Sequence, residues 1–413
     1  MEHVYSSIDF GSDTIKIVVC ELYKNRLNLL AATSTKAKGI KRGLITDPNE
    51  ARQSIENAFN EIQSMIGIEI KKVLTTVPSQ NAEYKIIKGK TEVLGDIITE
   101  QDMTNTYKDA VKNSLKPGYE IVTLMPIDFK INGKNIMKDP KDFPGDILES
   151  RTMSIMVPGK NLYSVVSILE SLGKEVVDIS VDSISDINTF RDKQIENSIC
   201  SVINIGSQTT TINLYNKAIP INTKILSMGG NDIDNDIAYM YKISKEEAKK
   251  IKEKFAFSTK RGANPKEIYE TTDLEGKKIK INQVEVSEIV MYRIEEILSL
   301  AKKEINHLTN RKINYIIFTG GTSNLLNFEL MIQDIFGTKA TIGKMNLVGA
   351  RNPKYSVALG NIIYFIGTLK LKGKNYTMLS ERDMEILSSP NKHFIGTDGN
   401  TMLGKVFGYF FGE

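Results

Sequence analysis

The sequence is poor in the residues that supply thiol-based or metal-based chemistry. Its 413 residues include no tryptophan, two cysteines and three histidines. Cys20 and Cys200 are far apart and lie within apolar runs, which is typical of buried thiols in a reducing compartment. The histidines show no ligand spacing, so we expect neither a zinc site nor a histidine-activated nucleophile.

Long apolar runs and an excess of one charge are also missing. No run approaches the roughly 18 apolar residues of a membrane-spanning helix, and the start of the chain lacks the features of a secretory signal. The 54 basic and 50 acidic side chains leave a net charge of +4, which argues against a nucleic-acid-binding surface. We therefore expect a cytoplasmic protein of about two or more domains that binds no nucleic acid.

Two short stretches of the chain share one pattern. Residues 6–19, SSIDFGSDTIKIVV, read as a strand, a glycine turn and a second strand. Residues 199–215, ICSVINIGSQTTTINLY, repeat this order and indicate an internal duplication. Backbone N–H groups of such turns form a nest for anions. Two facing turns could therefore hold a polyphosphate from both sides.

Asp9, which ends the first strand two residues before Gly11, has two interpretations. It could cap its own turn, or it could hold Mg²⁺ through water, and the recurrence of the turn favours the second. The chain has no GxxxxGK[ST] loop, so any phosphate clamp is of another kind. Further glycine pairs occur at 229–230, before a predicted helix, and at 320–321, after a predicted buried strand.

Helix signals are clear in two places. Pro48 and Gly67 bracket a predicted helix over 48–66, and apolar spacing predicts a long amphipathic helix over 286–308. A set of strands and helices over 84–165 reads as a compact insert. The polar composition of 371–400 predicts a flexible linker.

The segment 401–413, TMLGKVFGYFFGE, has one apolar face when it is drawn as a helix at about 100° per residue. That face contains Leu403, Val406, Phe407, Phe410 and Phe411. Packing on the core and helix pairing through the glycine row are alternatives, but the preceding linker favours a membrane-surface helix. Three glycines disfavour the helix by roughly 1 kcal/mol each. We therefore expect weak membrane binding by a monomer and strong binding by a polymer.

The motifs, in this order, resemble those of the actin, sugar kinase and heat-shock 70 superfamily. IDFGSDTIK is similar to its phosphate-1 motif, INIGSQTTT to phosphate-2, SMGGNDID to connect-1, FTGGTSNL to the adenosine motif and VALGNI to connect-2. The position of the insert, the linker and the terminal helix resemble the FtsA family of bacterial cell-division proteins. The resemblance implies an α/β, actin-like fold, ribonuclease H-like and duplicated, with a 1C insert subdomain in place of actin's 1B.

The resemblance also implies a division of the chain and a ligand site. The subdomains would be 1A (1–83, 166–198, 345–370), 1C (84–165), 2A (199–228, 306–344) and 2B (229–305), before a flexible linker (371–400) and an amphipathic membrane-targeting helix (401–413). ATP would be the nucleotide, and Asp9 would help to hold Mg²⁺. The phosphates would lie between two sets of residues, Gly11, Ser12, Asp13 and Lys16 on one side and Gly206, Ser207, Gln208 and Thr209 on the other. The ribose and base would contact Gly230, Lys252, Gly320, Gly321 and Thr322.

Four positions depart from the superfamily pattern. Asn204 occupies the place of the usual phosphate-2 acid, and an amide cannot accept a proton as a general base. Ser207 and Gln208 replace glycines, and Lys249 replaces a glutamate that contacts adenosine. We therefore expect ATP binding with weak or absent hydrolysis.

The implied function is that of an actin-like protein that polymerises and anchors FtsZ filaments to the cytoplasmic membrane at the division site. Subdomain 2B would bind the FtsZ C-terminal tail, and the terminal helix would make the protein peripheral on the inner face of the membrane. The alternative is a PilM-like pilus-assembly protein, a family without the linker and terminal helix. A metabolic kinase would need an acid at position 204, and a chaperone would need a further substrate domain.

Overall fold

The computed structural model describes residues 3–112, 114–345, 347–371 and 374–388. Its strands are β1 (His3–Phe10), β2 (Thr14–Tyr23), β3 (Arg26–Lys36), β4 (Ile40–Lys41), β5 (Leu44–Ile45), β6 (Lys72–Val77), β7 (Glu83–Glu92), β8 (Tyr119–Ile131), β9 (Asn135–Met137), β10 (Ile147–Pro158), β11 (Glu175–Val181), β12 (Ile199–Ile205), β13 (Thr210–Asn216), β14 (Ile219–Leu226), β15 (Ile268–Thr272), β16 (Lys278–Asn282), β17 (Tyr315–Thr319) and β18 (Ala340–Ile342). Its α-helices are α1 (Pro48–Ile66), α2 (Glu100–Lys112), α3 (Gly159–Ser171), α4 (Asp182–Phe190), α5 (Gly230–Tyr241), α6 (Lys245–Lys254), α7 (Gln283–Leu308), α8 (Phe328–Phe336), α9 (Ser356–Leu371) and α10 (Glu381–Ser388).

Two five-stranded sheets have the same strand order. The first half of the protein is built on β3-β2-β1-β6-β11, and the second half on β14-β13-β12-β17-β18. In each sheet three consecutive strands are antiparallel, and the last two strands run parallel to the first of those three. The duplication predicted from the two glycine turns is therefore confirmed.

The predicted insert forms an antiparallel sheet of its own, in the order β7-β10-β8-β9. Helix α2 packs so closely on β7 that a side chain at Gly89 would overlap the Thr106 carbonyl group. In helix α3, Val165, Ile168 and Leu169 share one buried cluster with residues of the first half and with residues of β10. The predicted boundary at 165 lies inside this helix, and the insert sheet ends at Pro158.

The predicted helix over 48–66 is confirmed as α1, with the expected signals at both ends. The Asp47 side chain accepts hydrogen bonds from the backbone N–H groups of Asn49 and Glu50, which satisfies two of the unpaired donors of the first turn. Gly67 ends the helix in the left-handed region, with φ of 72°. The long helix predicted over 286–308 is α7, and its apolar face is buried in the second half.

Helices α4 and α9 pack against each other between the two sheets. A Cβ atom at Gly360 of α9 would overlap the backbone carbonyl of Ser185 in α4. Asn361 accepts a hydrogen bond from Ser180 Oγ at 2.8 Å and donates one to Ser7 Oγ at 3.2 Å. Gly360 thus lets the two helix backbones touch, and Asn361 joins α9 to β1 and β11 of the first sheet.

The prediction of a flexible linker from residue 371 is wrong for the described residues 376–388. The backbone N–H of Met378 donates to the Val4 carbonyl at 2.9 Å, and the Val4 N–H donates to Thr377 Oγ1 at 3.0 Å. Met378 and Leu379 are buried, and α10 packs on the first half. The segment docks there because β6 pairs with β1 only at Ser7 and Ile8 and leaves the beginning of β1 open.

The remaining linker and the terminal apolar segment, 389–413, lie outside the described residues. Their predicted flexibility and membrane role therefore stay predictions. Within the described ranges, none of the helices combines the length and apolar character that crossing a bilayer requires.

Two glycines of α9 give a test of the helix contact. Gly360→Ala should lower the free energy of unfolding by about 2 kcal/mol or more, because the added methyl group meets backbone that cannot move aside. Gly367→Ala is the matched control, since its Cβ meets nothing within 4 Å and alanine favours a helix by about 0.5–1 kcal/mol. Urea unfolding should show that the two substitutions change the free energy of unfolding in opposite directions. Equal changes would contradict the close contact between α4 and α9.

Candidate functional site

Two turns with the same geometry face one cleft. In the turn between β1 and β2, the Gly11 N–H donates to the Thr14 carbonyl at 3.2 Å. In the turn between β12 and β13, the Gly206 N–H donates to the Thr209 carbonyl at 2.9 Å. The cleft between them has a volume of about 580 Å³, which lies within the usual range for small-molecule sites.

Most of the predicted site residues lie in the wall of this cleft. Those that do are Asp9, Gly11, Ser12, Asp13, Lys16, Gly206, Ser207, Thr209, Gly320 and Gly321. They come from three strand ends, those of β1, β12 and β17, together with the turns that follow. The duplication therefore brings segments about 200 residues apart in sequence to one site.

Three residues predicted to contact ribose and base do not reach the cleft wall. Lys252 is 5% exposed, forms an ion pair with Asp234 at 2.7 Å and donates to the Gly230 carbonyl at 3.0 Å. The Gly230 N–H and Thr322 Oγ1 both donate to the Gly206 carbonyl. These residues hold the second turn in place, and their contacts with ribose and base stay a prediction.

Gln208 is the fourth predicted site residue that does not line the cleft. Its Oε1 atom accepts a hydrogen bond from the backbone N–H of Arg42 at 2.9 Å. Arg42 lies between β4 and β5 in the first half, so this bond joins the two halves across the cleft. Because of this bond, the Gln208 side chain does not line the cleft.

The third turn presents bare backbone to the cleft. Gly320 has φ of 86°, and a Cβ atom there would lie 2.5 Å from the Ile205 carbonyl oxygen, so only glycine fits. A Cβ atom at Gly321 would meet nothing within 4 Å. A flat ligand group can therefore approach the backbone at Gly321 without a steric obstacle.

Asp9 is paired with Lys16, whose Nζ lies 2.9 Å from Asp9 Oδ2. Both side chains are mostly buried, at 14% and 12% exposed. Among the residues that the structure describes, no group of three or more histidine, cysteine or acidic side chains could hold a metal ion. Asp9 fits Mg²⁺ only as one carboxylate within a shell of water and phosphate oxygens, which is a common arrangement for this ion.

Beneath the cleft, Asn204 is hydrogen-bonded to a carboxylate that the sequence analysis missed. Asp186 Oδ2 accepts from Asn204 Nδ2 at 3.0 Å and from Thr319 Oγ1 at 2.9 Å. Burial raises the pKa of Asp186, and the hydrogen bonds oppose this shift. The acid missing from position 204 is thus present one hydrogen bond away, on α4.

Asp182, also missed, lies one helical turn before Asp186 and lines the same cleft. Its Oδ1 atom accepts hydrogen bonds from the backbone N–H of Ser79, at 3.0 Å, and from the Ser79 hydroxyl. Burial raises the pKa of Asp182 to about 6, with a smaller contribution from the charge of Asp9. The sequence signal was available: acids four residues apart follow a buried strand and share one helix face.

Lys249 faces the cleft as well and forms an ion pair with Asp13 at 2.5 Å. Burial alone would lower the pKa of Lys249, but the hydrogen bond and the charge of Asp13 outweigh it and raise the pKa. This pair joins α6 of the second half to the first turn. Lys249, which replaces the superfamily's glutamate, therefore points toward the first glycine turn.

Two family models match overlapping parts of the chain. The model described as cell division protein FtsA matches residues 201–360, and that of the type IV pilus assembly protein PilM matches residues 7–263. Full-length relatives include the cell division protein FtsA of Bacillus subtilis, 25% identical over 94% of this chain and 89% of that protein. The FtsA of Streptococcus pneumoniae is 27% identical over 86% of this chain and 78% of that protein.

Solved structures show the same fold. A PilM–PilN type IV pilus biogenesis complex has a chain with a TM-score of 0.60 and 13% identity, covering 87% of this chain and 98% of its own. MreB5 of Spiroplasma citri bound to ADP gives a TM-score of 0.56 and 14% identity, covering 90% of this chain and 99% of its own. The chain therefore has the actin-like fold, is similar over most of its length to FtsA cell-division proteins, and belongs to the family of the PilM model, which matches more than half of it.

Proposed function

We propose that this protein binds ATP with Mg²⁺, polymerises, and anchors FtsZ filaments to the cytoplasmic face of the membrane at the division site. The similarity to FtsA proteins supports an actin-like role in cell division. The observation that carries nucleotide binding is the pair of matching glycine turns that face each other across one cleft. An actin-like neighbour in the same fold was solved bound to ADP.

The residues of the cleft fit a nucleotide in a definite orientation. Backbone N–H groups of the turns at Gly11 and Gly206 would hold the phosphates, because consecutive N–H groups attract anions. The ribose and base would lie toward Gly320 and Gly321, where the backbone is open. Mg²⁺ would neutralise phosphate charge, and Asp9 would hold it through water.

Hydrolysis is expected to be weak, for a reason that the structure makes specific. The Asn204 amide cannot accept a proton from water, and the nearby carboxylate of Asp186 is engaged by Asn204 and Thr319. Asp182 is held by Ser79. The site therefore favours holding a nucleotide over turning it over.

Anchoring rests on the segment 401–413 and on subdomain 2B, which corresponds to α5, α6, the β15–β16 hairpin and α7. Residues 376–388 are docked on the first half. We propose that the FtsZ tail docks on subdomain 2B. Polymerisation would align many weak anchors and raise their combined membrane affinity.

A second candidate is a PilM-like role in pilus assembly. It is favoured by the PilM model, which matches 7–263, and by the structural likeness to the PilM–PilN complex. In that case the protein would recruit an assembly partner and would need no terminal anchor. The membrane experiment below separates the two functions.

Gly321→Val tests the ligand position without disturbing the protein. The added side chain enters open space in the cleft, so the melting temperature should stay close to that of the wild type. ATP affinity measured by calorimetry should fall at least about 10-fold, because the ligand and the new side chain compete for one volume. Gly367→Ala, which also has free space but lies outside the cleft wall, should bind ATP normally. Unchanged affinity in Gly321→Val would place the ligand elsewhere.

Exchanging the acid and the amide tests the hydrogen-bonded pair of Asn204 and Asp186. Asn204→Asp would put two carboxylates about 3.0 Å apart, where both cannot ionise. We expect a loss of about 2–4 kcal/mol in the free energy of unfolding at pH 7. The double variant Asn204→Asp/Asp186→Asn restores an amide–carboxylate pair, so it should recover stability and release phosphate from ATP faster than the wild type. Rapid hydrolysis by the wild type would contradict the proposed loss of the general base.

Co-sedimentation with liposomes tests the anchor. The intact chain, a truncation after residue 400, and Phe407→Asp would be compared with and without FtsZ and Mg-ATP. Only the intact chain should pellet with liposomes and carry FtsZ with it, since the other two lack a continuous apolar face. If all three behave alike, the segment is no anchor and the pilus-type function gains support.

A further inference from the structure

Four lysines line the nucleotide cleft, among them Lys254 of α6, and the other three come from three separate elements. Lys16 lies on β2 beside the first turn, Lys249 on α6 of the second half, and Lys354 in the short helical turn that precedes α9. Two of them play no part in the function argued so far: position 249 departs from the family pattern, and the motifs do not single out position 354.

The three side chains differ in how their charge is balanced. Lys16 pairs with Asp9 at 2.9 Å, and Lys249 pairs with Asp13 at 2.5 Å. In the described part of the chain, Lys354 has no carboxylate within ion-pair distance, and its Nζ lies 5.0 Å from the ring centre of Tyr355. A partly buried ammonium group next to two others is thus left without an anionic partner.

The charges of the other two lysines act unfavourably on the ammonium group of Lys354. Burial lowers the pKa of Lys354, and the charge of Lys16 lowers it further, while Glu253 and Asp13 act in the opposite direction. Lys249 also lowers it. An anion placed among the three ammonium groups would relieve this repulsion, and phosphate oxygens are strong acceptors for lysine.

The position of the cluster fits the phosphate end of the ligand. Asp13 belongs to the first glycine turn. Lys249, which contacts Asp13, therefore lies beside the turn whose N–H groups would hold a phosphate. The Asp13–Lys249 pair is 32% and 36% exposed, so solvent and a ligand can reach it. A phosphate group can replace Asp13 as the partner of Lys249.

We propose that Lys249 and Lys354 join Lys16 in binding the phosphate chain, so that this cleft selects its ligand by the number of phosphates. The proposal rests on the nucleotide binding proposed above and extends it. Affinity should fall steeply from ATP to ADP to AMP. Inorganic tripolyphosphate, which has no base, should compete with ATP for the same site.

Calorimetry with the full chain in Mg²⁺ buffer tests the proposal with ATP, AMP and tripolyphosphate as ligands. Lys249→Gln and Lys354→Gln should each lower the affinity for ATP and tripolyphosphate about 10-fold, the usual scale for a lost charged hydrogen bond, and the affinity for AMP less than about 2-fold. Lys249→Arg keeps the charge and should retain most of the affinity. Lys250→Gln is the matched control, because Lys250 lies on the same helix, is 60% exposed and pairs with Glu247.

The outcomes separate this proposal from the one it rests on. If the wild type binds none of the ligands, nucleotide binding itself fails. If the wild type binds ATP and the two glutamine variants match Lys250→Gln, the lysine cluster is overturned while nucleotide binding stands. A loss of affinity that is equal for AMP and tripolyphosphate would also overturn the cluster. Melting curves of each variant show whether the fold is intact.

Discussion

The contact of α4 with α9 is the constraint on which the rest of the structure depends. Gly360 lets the two backbones touch at Ser185 of α4, and the acids Asp182 and Asp186 lie three residues before and one residue after that contact. Asp186 accepts hydrogen bonds from β12 and β17, the two strands whose ends carry the second and third turns. The helix contact and this carboxylate together set where the turns of the second half stand relative to the first.

The duplication explains why a cleft forms at that place. Each half has the same five-stranded order, so each contributes one glycine turn at the same point of its sheet. Two polar contacts across the cleft, Arg42 with Gln208 and Asp13 with Lys249, also join the halves. Both contacts involve residues of the turns themselves. A ligand that binds the turns must therefore act on the contacts that hold the halves together.

The sequence was enough to predict the parts of the fold and site that depend on local pattern. The glycine turns, the duplication, α1 with Pro48 and Gly67, and the insert all follow from local patterns in the sequence. Prediction failed where a distant partner decides the outcome. Polar residues near Met378 docked because β1 leaves part of its edge unpaired. The partners of Lys252 and Gln208, which are Asp234 and Arg42, likewise do not follow from local pattern. The acids of α4 were missed because their partners, Ser79, Asn204 and Thr319, are distant in sequence and meet them only in the folded protein.

Hydrogen exchange with and without Mg-ATP would test most directly that both halves hold one ligand. The account predicts slower exchange in both turns together, at residues 9–14 and 204–210, and around 320–325, with the insert sheet unchanged. Protection of one turn alone, or of neither, would contradict a nucleotide bound between the two halves.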